Sequence, residues 1–364
     1  MLRVAEPVIT SEDRDAVARA VESSWVSGFS PVVGEFEREF AHLVGADFGF
    51  AVPSGAVALH LALAALGLGP GDEVIVPDFC MVAAYHAVVQ VGATPVLCDS
   101  LPDTWNLDPD KVEAAITDRT RAILPVHMYG LPCDMDELMG LAGARGISVL
   151  EDAAEAHGAV YRERGAGSIG HLGCFSFYAN KIITTGEGGM VTTSDPALAD
   201  RLRRLRDLGR RPGTAYEYDD IGFGYRMPAA SAALGLSQLG RFAELAARRV
   251  RNAELYRSLL GDVAGLRFQP RLDDRIGSDW MVGVMVDSEF DMSRDDLAGF
   301  LRDRQVETRS FFVPVHLQPF HAPGGEFPVA RALGDSGLLL PSGSNLLDSD
   351  IERVTDLVRE ASRV

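Results

Sequence analysis

Residues 54–79 read SGAVALHLALAALGLGPGDEVIVPDF, and this stretch decides the fold class. From residue 55 to 66 the side chains are apolar on nearly every face, as in a helix buried all round. Glu73–Pro77 is short, apolar and β-branched, and is bounded by Gly-Asp and Pro-Asp, which predicts a buried strand. Working outward, the alternation continues with a helix near 80–91, a strand at Thr94–Cys98 and a helix near 108–117. A strand at Arg121–Val126, a helix near 134–145 and the strand Ile147–Leu150 follow. Strands and helices alternating through short connections predict an α/β fold whose mostly parallel sheet is covered on both faces.

Beyond residue 173 the pattern shifts. CFSFY (174–178) and GGMVTTS (188–194) read as strands flanking ANKIITTGEG, and a long helix is expected from about Pro228, well placed at a helix start, to about Leu260. A smaller α+β region follows. It holds the apolar strand Trp280–Val286, a helix begun by Ser293, and a last helix opened by Ser349 with Glu352 three residues on, a capping box. The domain boundary is placed near residue 245, giving a large α/β domain over 1–245 and a small C-terminal α+β domain over 246–364. The N-terminal segment is expected to pack on the small domain.

At 364 residues the chain can bury a large core, and its formal charge of −18 with no Lys/Arg-rich run argues against nucleic acid. Cys80, Cys98, Cys133 and Cys174 are widely spaced, which suits buried thiols in a reducing compartment. The opening MLRVAEPVIT has no basic region leading into an apolar stretch, and no segment is long and apolar enough for a bilayer. The expectation is a soluble, cytoplasmic protein without membrane contact. Among 34 basic residues, only Lys111 and Lys181 are lysine. A lysine kept in such a background can do what arginine cannot, namely lose its proton and attack a carbonyl. Lys111, in the polar stretch DPDKVEAAI, reads as a surface residue.

Open parallel sheets bind ligands at the carboxyl ends of their strands, and three groups fall there. Ser54, Gly55 and Ala56 precede a helix whose first N–H groups can receive a phosphate. Glu151 and Asp152 follow the strand ISVL. Lys181 follows FSFY in a Gly-rich loop. Singly, these could be a cap, a salt-bridge partner and an exposed lysine. His157 and His171 with Asp152 have no recognisable metal spacing, so no metal is expected. The glycines of GLGPGDEV follow a helix and precede a strand, the wrong order for a dinucleotide loop. Together the three groups match what pyridoxal 5′-phosphate (PLP) requires: an amine for its aldehyde, an acid for its ring nitrogen and a seat for its phosphate.

The run EDAAEAHGAVYRERGAGSIGHLGCFSFYANKIITTGEGGMV (151–191) resembles the core of the sugar aminotransferases of the DegT/DnrJ/StrS type. The resemblance spans nearly the whole chain. It includes SSWVSGFSPVVGEFEREFA (23–41), ALHLALAALGLGPGDEVIVP (58–77), LPVHMYGLPCDMDEL (124–138), GYRMPAASAALGLSQL (224–239), VPVHLQPFH (313–321) and LPSGSNLL (340–347). NKIITTGEGG and Glu155 bring it nearest to the perosamine-synthase-like branch.

It implies the fold-type-I, aspartate aminotransferase-like architecture, with a mostly parallel seven-stranded sheet and a homodimer sharing its active sites. It further implies amino transfer, with glutamate as donor, to a nucleotide-linked keto-deoxysugar. Lys181 would hold PLP as a Schiff base and shuttle the proton, and Asp152 would pair with the pyridine nitrogen. Glu155 would lie near the phenolic oxygen, and Ser176 with the Gly55 and Ala56 amides would take the phosphate. Tyr178, Arg226 and His316 are substrate candidates, with the segment Gly224–Arg226 reaching a partner's site.

Three positions depart from the family. Ala56 stands where threonine is usual, Gly224 where asparagine is usual, and Met81 where an aromatic ring is usual, with Phe79 and Tyr85 as nearby rings. These departures leave two other readings open. One is a PLP enzyme acting on a non-nucleotide substrate such as a cyclitol, or carrying out elimination or oxidation. The other is a catalytically silent binding protein of the same fold.

Overall fold

The computed structural model describes residues 1–321 and 324–363. Its helices are α1 (Ser11–Glu22), α2 (Pro31–Val44), α3 (Gly55–Leu66), α4 (Ala83–Gln90), α5 (Pro109–Ala115), α6 (Met135–Gly143), α7 (Pro196–Arg206), α8 (Ala229–Leu239), α9 (Phe242–Leu260), α10 (Arg294–Asp303), α11 (Pro328–Ser336) and α12 (Asp348–Ala361). Its strands are β1 (Phe48–Val52), β2 (Glu73–Pro77), β3 (Thr94–Cys98), β4 (Thr120–Ile123), β5 (Ser148–Asp152), β6 (Val160–Tyr161), β7 (Arg164–Gly165), β8 (Leu172–Ser176), β9 (Gly189–Thr193), β10 (Leu266–Phe268), β11 (Arg275–Ile276), β12 (Val282–Val286), β13 (Arg309–Ser310) and β14 (Gly337–Leu340).

Seven strands form the main sheet in the order β1-β9-β8-β5-β4-β2-β3. The pairs from β8 through β3 are parallel, whereas β9 runs antiparallel to both β8 and β1. The strand order therefore sets the carboxyl ends of β2, β4, β5 and β8 side by side, and the candidate residues sit along that edge. The expected all-round apolar helix is α3. Ser54 Oγ caps it by accepting the Val57 N–H at 3.2 Å, and Gly67 ends it with φ of 79°. Behind β8, Phe36 and Phe40 of α2 pack on Phe175 and Phe177, with ring centroids 4.9 Å apart for Phe40–Phe177. That aromatic layer fixes the strand leading to Lys181.

A second sheet, β10-β12-β14-β13, is wholly antiparallel, and its apolar side packs with α9, α10 and α12 in a separate core. Residues at the two ends of α9 divide between the cores: Leu245 belongs to the first, and Ala253 and Tyr256 to the second. The N-terminus serves both. Leu2 exchanges hydrogen bonds with Gln305 and Glu307, and Val4 O accepts the Ser342 N–H, while α1 lies against α8. No helix among the described residues is long and apolar enough to cross a membrane.

Several boundaries differ from expectation. The single helix over 228–260 is two, α8 and α9, broken at Gly240 and Arg241. Arg241 leaves helical geometry, and its guanidinium turns to the buried Asp13 carboxylate at 3.0 Å. The last helix begins before Ser349: Asp350, not Glu352, accepts the Leu347 N–H, at 2.9 Å. β5 extends through Glu151 and Asp152, which are strand residues rather than the start of a loop. β8 ends at Ser176 rather than Tyr178, so four residues instead of two separate it from Lys181.

Gly173 of β8 faces the backbone of residue 167, and a Cβ there would stand 2.1 Å from the Gly167 oxygen. Gly173→Ala should therefore lower stability by about 2 kcal/mol or more, since neither backbone can yield cheaply. Urea unfolding checks this, with the midpoint expected to fall at an unchanged m-value; an unchanged midpoint would contradict the packing.

Candidate active site

At the start of α3, Ser54 uses its hydroxyl and carbonyl to take the Val57 and Ala58 N–H groups, at 3.2 and 3.0 Å. The N–H groups of Gly55 and Ala56 have no partner among the described residues. Gly55 is required by close approach: a Cβ would lie 2.8 Å from Ser176 Cβ. Its absence lets the first turn of α3 rest on the end of β8, so the Ser176 hydroxyl stands beside the free amides. A helix N-terminus with a hydroxyl alongside is a seat for a phosphate-sized anion.

Asp152 is locked through its backbone, with its N–H on Pro125 O at 2.8 Å and its O accepting the His127 N–H at 3.1 Å. Its Oδ1 accepts the Ala154 N–H at 3.0 Å, and Oδ2 has no hydrogen-bond partner among the described residues. Burial raises the Asp152 pKa, while Lys181 opposes that shift. Glu155 lies close by, accepting the Tyr129 N–H at 2.7 Å, and burial pushes its carboxyl up to about 7. Lys181 completes the cluster. It is 9% exposed, and its Nζ stands 3.7 Å from the centre of the Trp280 ring. Burial lowers its pKa, while Glu155 and Asp152 pull the other way. Asp152, Glu155 and Lys181 are thus one group, and Gly55, Ala56 and Ser176 another.

The other expected residues fall differently. Tyr178 is 48% exposed, and its carbonyl accepts the Lys181 N–H at 2.9 Å. Met81 is 47% exposed just past β2. Of the nearby rings, Phe79 is fully buried against Tyr129, Phe311 and Phe312, and the Tyr85 hydroxyl is engaged with His321 at 3.2 Å. His316 donates Nδ1–H to Asp78 at 2.5 Å, and its backbone N–H reaches the same carboxylate at 2.8 Å. The ring is thereby fixed at the end of β2. Arg226 is not brought to the lysine cluster; it pairs with Asp207 and lies 5.0 Å from the Phe29 ring. Gly224 is exposed, and a Cβ there would meet nothing within 4 Å. His171 Nδ1 accepts the Val149 N–H, His157 is buried in the phenylalanine layer, and no metal-holding group exists among the described residues.

Sequence reading missed the supports. Glu151 is fully buried and accepts four hydrogen bonds: the His127 Nε2–H at 3.0 Å, and the N–H groups of Gly167, Ile169 and Gly170 at 2.9, 2.7 and 2.6 Å. His127 Nδ1 in turn accepts the Cys133 N–H at 3.1 Å, so the ring is the neutral Nε2–H form. Trp280 and Ser278 are brought in from the far part of the chain, Ser278 Oγ–H bonding the Glu155 carbonyl at 2.7 Å. A Glu beside the strand-end Asp was the one visible hint; nothing in the sequence marks Trp280.

The geometry agrees with the comparisons. A profile of the DegT/DnrJ/EryC1/StrS aminotransferase family matches residues 7–359. The GDP-perosamine synthase of Caulobacter vibrioides is 42% identical over 357 residues, covering 97% of this chain and 96% of that protein. A structure of DesV from S. venezuelae, in complex with a ketimine intermediate, superposes with a TM-score of 0.92 at 40% identity, covering 97% of this chain and 95% of that one. Spr1654 from Streptococcus pneumoniae, solved in a PLP form, gives a TM-score of 0.93 at 26% identity and covers 99% and 98%.

Replacing Glu151 with leucine would leave the His127 Nε2–H and three backbone N–H groups buried without an acceptor. Glu151→Leu should cost at least about 3 kcal/mol, because hydrogen bonds to a charged group are lost together. Chemical denaturation measures this; a loss below about 1 kcal/mol would show that water replaces the carboxylate.

Proposed function

The chain belongs to the DegT/DnrJ/EryC1/StrS aminotransferase family, and on that premise we propose that it transfers an amino group from glutamate to the keto carbon of a nucleotide-linked deoxysugar, using PLP. The observation that carries the reading is a buried lysine amine set among two carboxylates, at the strand ends that also border a phosphate-sized seat.

The residues present fit the cofactor. Lys181 would be the amine for its aldehyde, and the free oxygen of Asp152 would take its ring nitrogen. Glu155 would serve its phenolic oxygen, Met81 its ring, and Ser176 with the Gly55 and Ala56 amides its phosphate. Bound there, PLP supplies an electron sink for the charge left when a carbon next to nitrogen loses its proton. The chain's own work is to place and move that proton. Lys181, once its amine is free, takes a proton and returns it, a role that a permanently charged guanidinium cannot fill. Asp152, anchored by β5, keeps its charge directed at one point, and Glu151 holds the surrounding loop in register. His316, its tautomer fixed by Asp78, offers Nε2 to a hydroxyl of the acceptor. Tyr178 and Arg226 are further substrate contacts, Arg226 together with Gly224 toward the site of a second copy in a homodimer. A cytoplasmic setting suits four free buried cysteines.

A remodelled acceptor site is the second reading. Exposed Ala56, exposed Met81 and the open space beside Gly224 support an acceptor other than the usual sugar nucleotide.

Borohydride treatment of the PLP-loaded protein, followed by peptide mass spectrometry, should place a pyridoxyl group on Lys181. Recovery on Lys111 alone would overturn the assignment. Lys181→Arg should abolish turnover while the protein stays folded. Asp152→Asn should still bind PLP but exchange the glutamate Cα proton at least about 100-fold more slowly, a loss in the range seen on removing one preorganised charge-stabilising group. Near-normal exchange in a fully loaded Asp152→Asn protein would make that aspartate structural only.

A further inference from the structure

Arg249, on α9, is one of the largest fully buried side chains, 1% exposed. A buried guanidinium ordinarily faces a carboxylate. Arg275, also buried, follows that rule by pairing with Asp134 and Asp274, and the half-buried Arg241 and Arg206 pair with Asp13 and Glu37. Arg249 has no carboxylate partner among the described residues. Its Nε donates to Ser344 Oγ at 3.0 Å, Nη1 to the carbonyls of Trp280 and Ser342 at 2.8 and 3.1 Å, and Nη2 to the carbonyl of Asn180 at 3.3 Å. Each acceptor is neutral, so the positive charge is held rigidly and left uncompensated.

The acceptors show where that charge acts. Asn180 is the residue before Lys181. Trp280 carries the ring lying 3.7 Å from Lys181 Nζ, and its Nε1–H bonds the same Asn180 carbonyl at 2.9 Å. Arg249 thus joins the lysine loop, the start of β12 and the 342–344 turn at one point. Around Lys181, burial disfavours the ammonium most, Glu155 just after β5 and Asp152 from β5 favour it, Arg249 from α9 adds a smaller opposing influence, and the buried His157 is neutral. The two carboxylates pull the amine toward its protonated form, against the effect of burial. A fixed cation can take over the neutralising role and release the lysine proton. Burial brings the guanidinium down to about 10, which still leaves it charged at neutral pH.

We propose that Arg249 is a positioning residue that clamps the loop of Lys181 and adds, to the effect of burial, a fixed positive charge that favours the uncharged, nucleophilic amine. This rests on the reading of Lys181 as the cofactor-bearing amine, but its test does not need the cofactor. Having only two lysines, the chain contains its own comparison: Lys111 on α5 is labelled in the same tube.

The test is competitive acetylation of the cofactor-free protein with trace acetic anhydride across a pH series, the two lysine peptides being quantified by mass spectrometry. In the wild type, Lys181 should reach half-maximal labelling at lower pH than Lys111. Arg249→Met, which keeps much of the volume but removes the charge, should raise the Lys181 midpoint by about one pH unit or more, roughly a tenfold drop in free amine at a fixed pH. Lys111 should not move. Arg249→Lys, which keeps a cation, should stay closer to the wild type. Ser344→Asp places a carboxylate at the Nε acceptor without removing the arginine, and should shift Lys181 in the same direction as Arg249→Met, so a poorly folding methionine variant does not end the test. An unchanged Lys181 midpoint in a folded Arg249→Met or Ser344→Asp protein overturns the proposal, as do equal shifts in the methionine and lysine variants. A depressed Lys181 midpoint in a wild-type protein that forms no PLP adduct would instead defeat the functional reading and leave the charge argument intact.

Discussion

A buried amine facing two buried carboxylates is costly unless each charge is balanced and each partner fixed, because a low-dielectric interior strengthens every error of placement. Lys181, Asp152 and Glu155 meet this constraint with backbone anchors. Asp152 is held on both sides by strand hydrogen bonds, Glu155 by the Tyr129 N–H and the Ser278 contact, and Lys181 by the turn to Tyr178. Much of the surrounding architecture serves the same end. Three backbone donors on Glu151 hold the loop after β7 against β5, and the phenylalanine layer of α2 holds β8.

The two cores have distinct parts in this. The first carries the parallel sheet and presents its strand ends. The chain beyond residue 245 supplies Arg249, Ser278 and Trp280 around the lysine, and Trp280 packs in the first core. The site is therefore built from residues about a hundred positions apart in the chain, and α9, which has residues in both cores, ties one part to the other.

Much of this was legible in the sequence because it is local. Residues 55–66 and Glu73–Pro77 are apolar in the pattern of their elements, and their bounds match the structure. The lysine stood out against an arginine background, and Asp152 against an apolar run. The motif resemblance gave the fold class, and the fold bears it out. What failed was also physical. A tertiary contact, Arg241 with Asp13, goes with the break that an apolar periodicity could not reveal between α8 and α9. Strand lengths at β5 and β8 depend on pairing with neighbours, which no local pattern records. Phe79 looked available as a ring for the cofactor, but its burial against Tyr129 and Phe311 is a long-range fact. Trp280 and Arg249 carried no sequence signal, since nothing about an isolated tryptophan or arginine shows what lies across from it.

The central claim is that this buried lysine cluster performs amino transfer. Its most direct test is a single half-reaction: PLP-loaded protein mixed with ¹⁵N-glutamate and no acceptor, with 2-oxoglutarate and ammonia measured over time. Amino transfer predicts a burst of 2-oxoglutarate that stops at one equivalent per chain, the labelled nitrogen staying with the protein's cofactor and no ammonia appearing. Continuous release of ammonia, or no 2-oxoglutarate from a fully loaded protein, would contradict it.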